Sequence, residues 1–328
     1  MPPDISIVVV TPTDFGQIRE TIQHLLDQTV HDQMELIVVA ESREALGPDT
    51  AELDGFPTHQ VVEAGPIVHR GQAAAKGVRV AQAPIVAMVE EHAYPEPGYA
   101  EALLSAHEGP WAGVSPVIRN ANPESAVSWS NYYPAYLALT EPVEAGEVDN
   151  VAWHNTAYKR DRLLAFGDRL GALLDFEGDL LTELRAQGHR LYLEPRAQVR
   201  HMNIEKLWAA THLLYLQGRL TAASRVEGEG WPLWRRLLYV AGSPLTPLMY
   251  LPNLWRGFRR TKQPVGRVLR ALPSLSVSLG AVAVGEVVGL LRGATGAKHR
   301  MEAYELNRDH YLSRRTLAQK RSSSPPRV

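Results

Sequence analysis

The stretch Ile5-Ser-Ile-Val-Val-Val10 decides the fold class of this chain. Its β-branched residues predict a buried strand, which ends at the loop Thr11-Pro-Thr-Asp14. Apolar residues at helical spacing between positions 17 and 27 predict a helix after that loop. A second apolar run, Met34–Ala40, predicts the next strand, so the chain begins as a strand, helix, strand unit.

The same alternation continues with a predicted helix over 72–80 and a third strand over 85–89. Alternating strands and helices indicate a parallel sheet with helices on both faces. Ligands of such sheets bind at the carboxyl ends of the strands. The residues expected there are those that follow the three strands directly, namely Thr11–Asp14, Glu41-Ser42 and Glu90-Glu91-His92.

Composition excludes several classes of protein. The 328 residues are 45% hydrophobic, which excludes a disordered chain, and the absence of cysteine excludes disulfides, thiolate metal sites and cysteine nucleophiles. The motifs G-x-G-x-x-G after the first strand and G-x-x-x-x-G-K-[ST] anywhere are also absent, which argues against dinucleotide and Walker-type phosphate sites. The first residues, Met-Pro-Pro-Asp, lack the basic stretch of a signal peptide, so we expect a cytoplasmic protein.

The near-neutral net charge of −2 conceals two parts of opposite sign. Residues 1–205 carry 14 Lys+Arg against 30 Asp+Glu, whereas residues 206–328 carry 20 against 6. The basic part is expected to meet an anionic partner, either a membrane surface or nucleic acid. Nucleic-acid motifs do not accompany the charge, and the apolar content of this part favours the membrane.

Residues 4–205 contain six successive blocks that share a recognisable pattern, namely Val8–Asp14, Ile37–Ser42, Gly71–Gly77, Val89–Tyr99, His154–Arg160 and Glu177–His201. In order and in spacing these blocks resemble those of family 2 glycosyltransferases with the GT-A fold. The resemblance implies a Rossmann-like α/β domain over 1–205 with a mostly parallel sheet flanked by helices. After it we expect a basic, aromatic-rich, mainly helical membrane-associating region over 206–313 and a disordered basic tail over 314–328.

The resemblance implies transfer of a hexosyl-type sugar from a nucleotide-sugar donor to a glycan or lipid-linked acceptor, usually with inversion, in cell-surface polysaccharide or glycolipid biosynthesis. The alternative is a GT-A domain that has lost catalysis and acts as a sugar-nucleotide-binding or partner-docking subunit. Glu90-Glu91-His92, in place of the family's Asp-x-Asp, favours this alternative, whereas Glu177 at the place of the family's base argues against it.

The resemblance also places residues for the donor. The nucleotide is expected at Pro12, Thr13, Asp14 and Glu41, and its diphosphate near Arg70 and Glu91. A divalent cation, Mn²⁺ or Mg²⁺, is expected at Glu90 and His92, with His201 as a further ligand. The alternative is that protonated His92, helped by Arg70, faces the diphosphate directly and no metal is needed.

The acceptor hydroxyl must lose a proton during transfer, so a carboxylate is required beside it. The resemblance places this base at Glu177, with Asp175 and Asp179 as flanking alternatives. Acceptor-binding residues are expected just before, at Trp153, His154 and Asn155, where an indole face suits the C–H surface of a sugar.

The region after residue 205 is expected to associate with the membrane. Trp231–Val240 and Trp255–Arg260 combine aromatic and cationic side chains, as do helices that lie in a bilayer interface. Residues 271–291 are long enough to cross a bilayer, but Pro273 and Glu286 favour helices that lie on or dip into the leaflet. We therefore expect peripheral attachment at the cytoplasmic face of the cell membrane, with a crossing as the alternative.

Overall fold

A computed structural model describes residues 2–175 and 177–323, with the side chains of all but Trp153, Glu177 and 321–323. These residues form two compact units, one of residues 2–119 and 139–201, the other of 120–138 and 202–323. The helices in chain order are α1 (Phe15–Leu26), α2 (Arg43–Leu46), α3 (Arg70–Val80), α4 (Tyr99–His107), α5 (Ala126–Tyr136), α6 (Arg160–Leu164), α7 (Leu170–Asp175), α8 (Glu177–Ala186), α9 (Leu207–Glu229), α10 (Leu233–Gly242), α11 (Thr246–Thr261), α12 (Val265–Arg292), α13 (Ala297–Leu306) and α14 (Arg314–Ser323).

The first unit is built on one sheet. Its strands are β1 (Ile5–Thr11), β2 (Met34–Ala40), β3 (Thr58–Glu63), β4 (Ile85–Val89), β5 (Ala93–Pro95), β6 (Gly113–Asn120), β7 (Gly146–Val148), β8 (Ala157–Lys159) and β9 (Leu191–His201). The order is β3-β2-β1-β4-β8-β6-β9-β5, with β7 also paired to β9. The strands β3, β2, β1 and β4 run parallel, whereas β8 pairs antiparallel with β4 and β6, and β9 pairs antiparallel with β5 and β7.

The sequence patterns explain the centre of this sheet. Every residue of β1, β2 and β4 is buried, which explains why these strands read as nearly continuous apolar runs. The polar residues inside them, Ser6 and Glu35, hydrogen-bond to each other. On one face, α3, α7 and α8 cover the sheet in a core that includes Val8, Ile37 and Leu174. The predicted fold class is confirmed: a Rossmann-like α/β sheet with flanking helices, followed by a mainly helical C-terminal region.

A buried histidine in this unit gives a pH-dependent prediction. His107 ends α4 and is 6% exposed. Burial lowers the pKa of His107 to about 4, and the Lys159 ammonium adds to this effect. The unfolded chain therefore takes up a proton near the ordinary pKa of about 6.5, where the folded chain does not. Neutral, buried His107 therefore contributes to the free energy of unfolding above about pH 6.5, and this contribution is lost as the pH falls towards about 4.

We expect protonation of His107 in the unfolded chain to lower the free energy of unfolding by about 3 kcal/mol as the pH falls from about 7 to about 4. Urea denaturation of the parent and of His107→Gln across this range measures the effect. The variant has no proton to take up at this position, so its stability should fall less steeply with acid. Parallel pH profiles for the two proteins would contradict the assignment.

The second unit is helical, and its longest helices pack through glycine. An added Cβ at Gly285 of α12 would lie 2.0 Å from the Tyr215 carbonyl oxygen of α9, and one at Gly289 would lie 2.3 Å from the Arg219 oxygen. An added Cβ at Gly218 of α9 would meet the Val282 oxygen of α12 at 2.3 Å. The two backbones therefore approach more closely than any side chain at these positions allows.

Two prolines of this unit lie inside its helices, Pro252 in α11 and Pro273 in α12. Pro247 lies in the first turn of α11, where a missing N–H costs no intrahelical hydrogen bond. Pro244 lies in the short turn that separates α10 from α11. The helices α11 and α12 therefore continue through a proline.

The structural units also differ from the domain boundaries predicted from the sequence. Residues 120–138 belong to the helical unit, because α5 packs against α12, although the boundary at 205 assigned them to the first domain. Residues 314–323, predicted as part of a disordered tail, form α14, where the Ser313 hydroxyl accepts the Thr316 N–H and Lys320 pairs with Asp309. The rest of the predicted tail lies outside the described residues.

Candidate functional site

The strand register brings the predicted nucleotide residues to one edge of the sheet. Thr11 pairs with Ala40, and Val9 pairs with Val89, so the residues after β1, β2 and β4 emerge together. Thr13, Asp14 and Glu41 are exposed there, and Pro12 is half-buried. The four residues predicted to hold the nucleotide therefore lie at the carboxyl end of the parallel strands, where α/β sheets bind ligands.

Glu90, His92 and His201 converge beside this edge. Glu90 and His92 follow β4, and His201 ends β9, whose antiparallel pairing with β5 sets His201 opposite Ala93. The Nε2 atoms of His92 and His201 are 3.0 Å apart, and the His201 Nε2 lies 3.2 Å from the Glu90 Oε2. The three side chains are at most 3% exposed. The predicted ligands are therefore brought together.

This donor set fits a divalent cation. One ligand atom from each of the three residues lies within 4.8 Å of the other two. Ligands about 2.1 Å from a metal, in neighbouring octahedral positions, lie about 3 Å apart, close to two of the three separations here, while the His92 Nε2 lies 4.0 Å from the Glu90 Oε2. Two imidazoles and one carboxylate suit Mn²⁺ or another first-row ion better than Mg²⁺, which prefers oxygen.

Glu91 orients His92 for this task. The His92 Nδ1 lies 3.1 Å from the Glu91 Oε1, so a proton on Nδ1 is donated to the carboxylate and the Nε2 lone pair is left towards His201 and Glu90. A carboxylate behind a histidine fixes the ring and its tautomer in many metal sites.

Arg70 balances the carboxylates of this cluster. It is the first residue of α3, its Nη1 lies 3.2 Å from the Glu90 Oε1, and its Nη2 pairs with Glu91. The guanidinium is 3% exposed. A buried arginine between two carboxylates compensates their charge, which a low-dielectric interior requires.

The Glu90 carboxylate is held in its charged form. Burial alone raises its pKa, but His92, the hydrogen bond with His201 and Arg70 outweigh burial and hold the pKa well below its ordinary value. Asn155 donates from Nδ2 to the Glu90 Oε2 at 2.6 Å and accepts the Glu90 N–H at 3.3 Å. The sequence predicted Asn155 as an acceptor-binding residue. It is 1% exposed, and its hydrogen bonds position Glu90.

Among the other residues predicted to bind the acceptor or act as the base, the structure describes the side chains of His154 and Asp179. Burial lowers the pKa of His154 to about 4, and Arg70 adds to this, so the imidazole is neutral at pH 7. The side chains of Trp153 and Glu177 lie outside the described residues. Asp179 is exposed in the first turn of α8.

Asp175 has a position that the sequence did not indicate. Its Oδ1 accepts the N–H groups of Gly71 and Gln72, at 2.7 and 3.3 Å, at the start of α3, where the flanking His69 makes no capping bond. The Asp175 carboxylate, at the end of α7, therefore caps α3. Its negative charge also interacts favourably with the positive, amino-terminal end of the α3 dipole. An added Cβ at Gly71 would lie 2.1 Å from the Asp175 nitrogen. This contact therefore requires glycine at position 71, and that glycine is the feature of the sequence that reflects it.

Comparison with known proteins gives a limited result. No protein-family model matches the chain, and no curated protein matches it. Among solved structures, the chain is similar to the crystal structure of GalNAc-T7 with UDP, GalNAc and Mn²⁺, at a TM-score of 0.46 and 12% identity. The similar part is 61% of this chain and 44% of that chain, so the chain spans less than half of that protein's length.

Proposed function

We propose that the protein is a family 2 glycosyltransferase of the GT-A type that uses a nucleotide-sugar donor. The observation that carries the proposal is the buried group Glu90, His92 and His201 at the ends of β4 and β9, beside the exposed residues that follow β1 and β2. The six sequence blocks that resemble this family support it, because residues from four of them meet at this edge of the sheet.

Each part of the edge has a task in this proposal. Pro12, Thr13, Asp14 and Glu41 bind the base and ribose of the donor. Glu90, His92 and His201 hold Mn²⁺ or Mg²⁺, which supplies positive charge for the leaving diphosphate. Glu177 is the base that accepts the proton of the acceptor hydroxyl, and inversion follows from attack on the face opposite the leaving group.

The geometry favours metal binding over direct contact between the diphosphate and His92. Arg70 is already paired with Glu90 and Glu91, and His92 is already bonded to Glu91. A diphosphate would have to displace these carboxylates, and it would then approach two buried negative groups. A cation between Glu90 and the histidines removes this repulsion.

We further propose a glycan or lipid-linked acceptor in cell-surface polysaccharide or glycolipid biosynthesis, at the cytoplasmic face of the membrane. The charge of the region after residue 205 supports this location, because 20 Lys+Arg against 6 Asp+Glu favour an anionic surface. A lipid-linked acceptor would meet the enzyme at that surface.

Binding of donor and metal tests the proposed function. In a thermal-shift screen of nucleotide sugars with and without Mn²⁺, we expect one class of donor to raise the melting temperature, because a ligand stabilises the state it binds. Glu90→Gln should weaken Mn²⁺ binding about 100-fold or more, since the loss of a ligand exceeds the 10–100-fold effect of an outer-shell change.

Glu108→Gln is the matched control, because Glu108 is exposed after α4 and lies beside Asp4 and Ile85, at the opposite ends of β1 and β4. This variant should keep the metal and donor affinities of the parent. If no donor stabilises the parent, or if Glu90→Gln binds Mn²⁺ as the parent does, the proposed site is wrong.

A further inference from the structure

Two helices of the second unit expose apolar side chains that a soluble unit would bury. In α10, none of the residues is buried, and Trp234 is 68% exposed beside Leu237 and Leu238. In α11, Met249 is 74% and Trp255 63% exposed. Contiguous exposed apolar groups of this size mark an interaction surface.

The helix α12 extends the exposed apolar surface. Its exposed apolar residues fall three to seven positions apart, and another side of the helix packs on α9 through glycine. The exposed apolar members are Val265, Leu269, Leu272, Val277, Val284 and Leu291. By length and composition α12 could cross a bilayer, with a mean hydropathy of 1.8 over 18 residues, but 44% of that stretch is buried within the protein.

The charges next to these side chains are mostly positive. Residues 231–285 contain eight Lys+Arg and no Asp or Glu, and among these cations Arg235 pairs with Glu229 at 3.1 Å. One cation lies close to an exposed aromatic group, because the Arg259 guanidinium is 5.9 Å from the Trp255 ring centre. Long cationic side chains beside exposed Trp and Leu match the boundary between acyl chains and anionic headgroups.

We infer that the exposed faces of α10 and α11, extended by that of α12, form a monotopic surface that inserts into a leaflet of anionic phospholipid. The inference rests on the membrane association proposed above and gives it a surface and a lipid class, but it does not depend on sugar transfer. Trp234, Met249 and Trp255 enter the acyl boundary, while Arg256 and Arg259 remain with the headgroup phosphates.

A protein partner fits these observations less well. Protein interfaces deplete their cores of charge and match both signs at their rims, whereas residues 231–285 carry eight cations and no acidic residue. A negatively charged leaflet offers both an apolar interior and a uniform layer of phosphate, so one partner satisfies both features.

Sedimentation of the full-length protein with vesicles tests the inference. We expect binding to phosphatidylcholine vesicles to increase when phosphatidylglycerol is included and to decrease with salt. Reversing the charge of Arg256 and Arg259 together should lower the partition coefficient at least about 25-fold, since each cation near the surface contributes about fivefold. The matched control is charge reversal of Arg162, which is exposed in the first unit, and it should bind as the parent does.

Insertion has its own readout. Brominated phospholipids should quench the parent's tryptophan fluorescence, and Trp234→Phe with Trp255→Phe should remove most of the quenching while preserving vesicle binding. Trp111→Phe, in the first unit, should leave the quenching unchanged. Binding that ignores phosphatidylglycerol and salt, quenching that persists without Trp234 and Trp255, or self-association through α10 and α11 without binding to vesicles would each overturn the inference.

Discussion

Glutamine in place of Glu177 is expected to lower the rate of sugar transfer about 10²–10⁴-fold while the donor still binds. The amide has the shape of the carboxylate but does not accept the acceptor's proton, and that interaction develops only in the transition state. Transfer is measured with the donor found by the thermal-shift screen, together with the melting temperature and donor affinity of the variant. Both of these should stay close to the parental values.

The two neighbouring carboxylates serve as matched controls for this experiment. Asp175→Asn keeps an oxygen for the N–H groups of Gly71 and Gln72, so it should transfer sugar within a few-fold of the parent. Asp179→Asn changes an exposed residue and should do the same. If Glu177→Gln stays active and one of these is inactive, the base is at that position. If none of the three loses activity, the non-catalytic alternative is favoured.

Alanine in place of Gly285 is expected to lower the free energy of unfolding of the helical unit by about 3 kcal/mol or more, the upper range for overpacking. The added methyl group would lie 2.0 Å from the Tyr215 oxygen and 2.9 Å from the Arg219 nitrogen. Both atoms belong to the backbone of α9, so neither can rotate away as a side chain does. The helices α9 and α12 must separate, which opens the contacts of buried Leu290 with Ala222 and Val226.

Gly280 offers the same substitution in the same helix without the contact. No atom lies within 4 Å of its ideal Cβ position in the described part of the chain. Gly280→Ala should therefore raise stability by up to about 1 kcal/mol, because alanine is the better helix former. Urea denaturation measures both variants, and hydrogen exchange in α9 and α12 locates the change. Equal stabilities for the two variants would contradict the close packing of these helices.

The sequence predicted the centre of the fold because burial there is complete. The bounds of β2 and β4 match the predicted runs 34–40 and 85–89, since a strand buried on both faces is apolar at nearly every position. The strand β3 escaped prediction because it lies at the edge, where half-exposed Thr58 and Gln60 and exposed Glu63 interrupt the apolar pattern. The antiparallel strands β5, β7 and β8 have three residues each, too few for a period of two to appear.

The candidate site could be predicted where neighbours in sequence supply it. Glu90, Glu91 and His92 stand together after a strand, and their meeting with His201 followed from the family resemblance. The roles of Asp175 and Asn155 could not be predicted, because each depends on a contact between segments far apart in the chain. Side-chain spacing alone carries no information on such contacts.

The place of His201 in the chain sets the order in which the site can form during synthesis. His201 is the last residue of β9 and lies 109 positions beyond His92. A nascent chain that extends past His92 carries two of the three donors, but the third arrives only when β9 has emerged and paired with β5. The complete set of three donors does not exist before β9 pairs with β5. Binding of a cation therefore stabilises the state in which β9 is paired. Acquisition of Mn²⁺ affinity during refolding would therefore report the docking of β9, which is the step that completes the first unit.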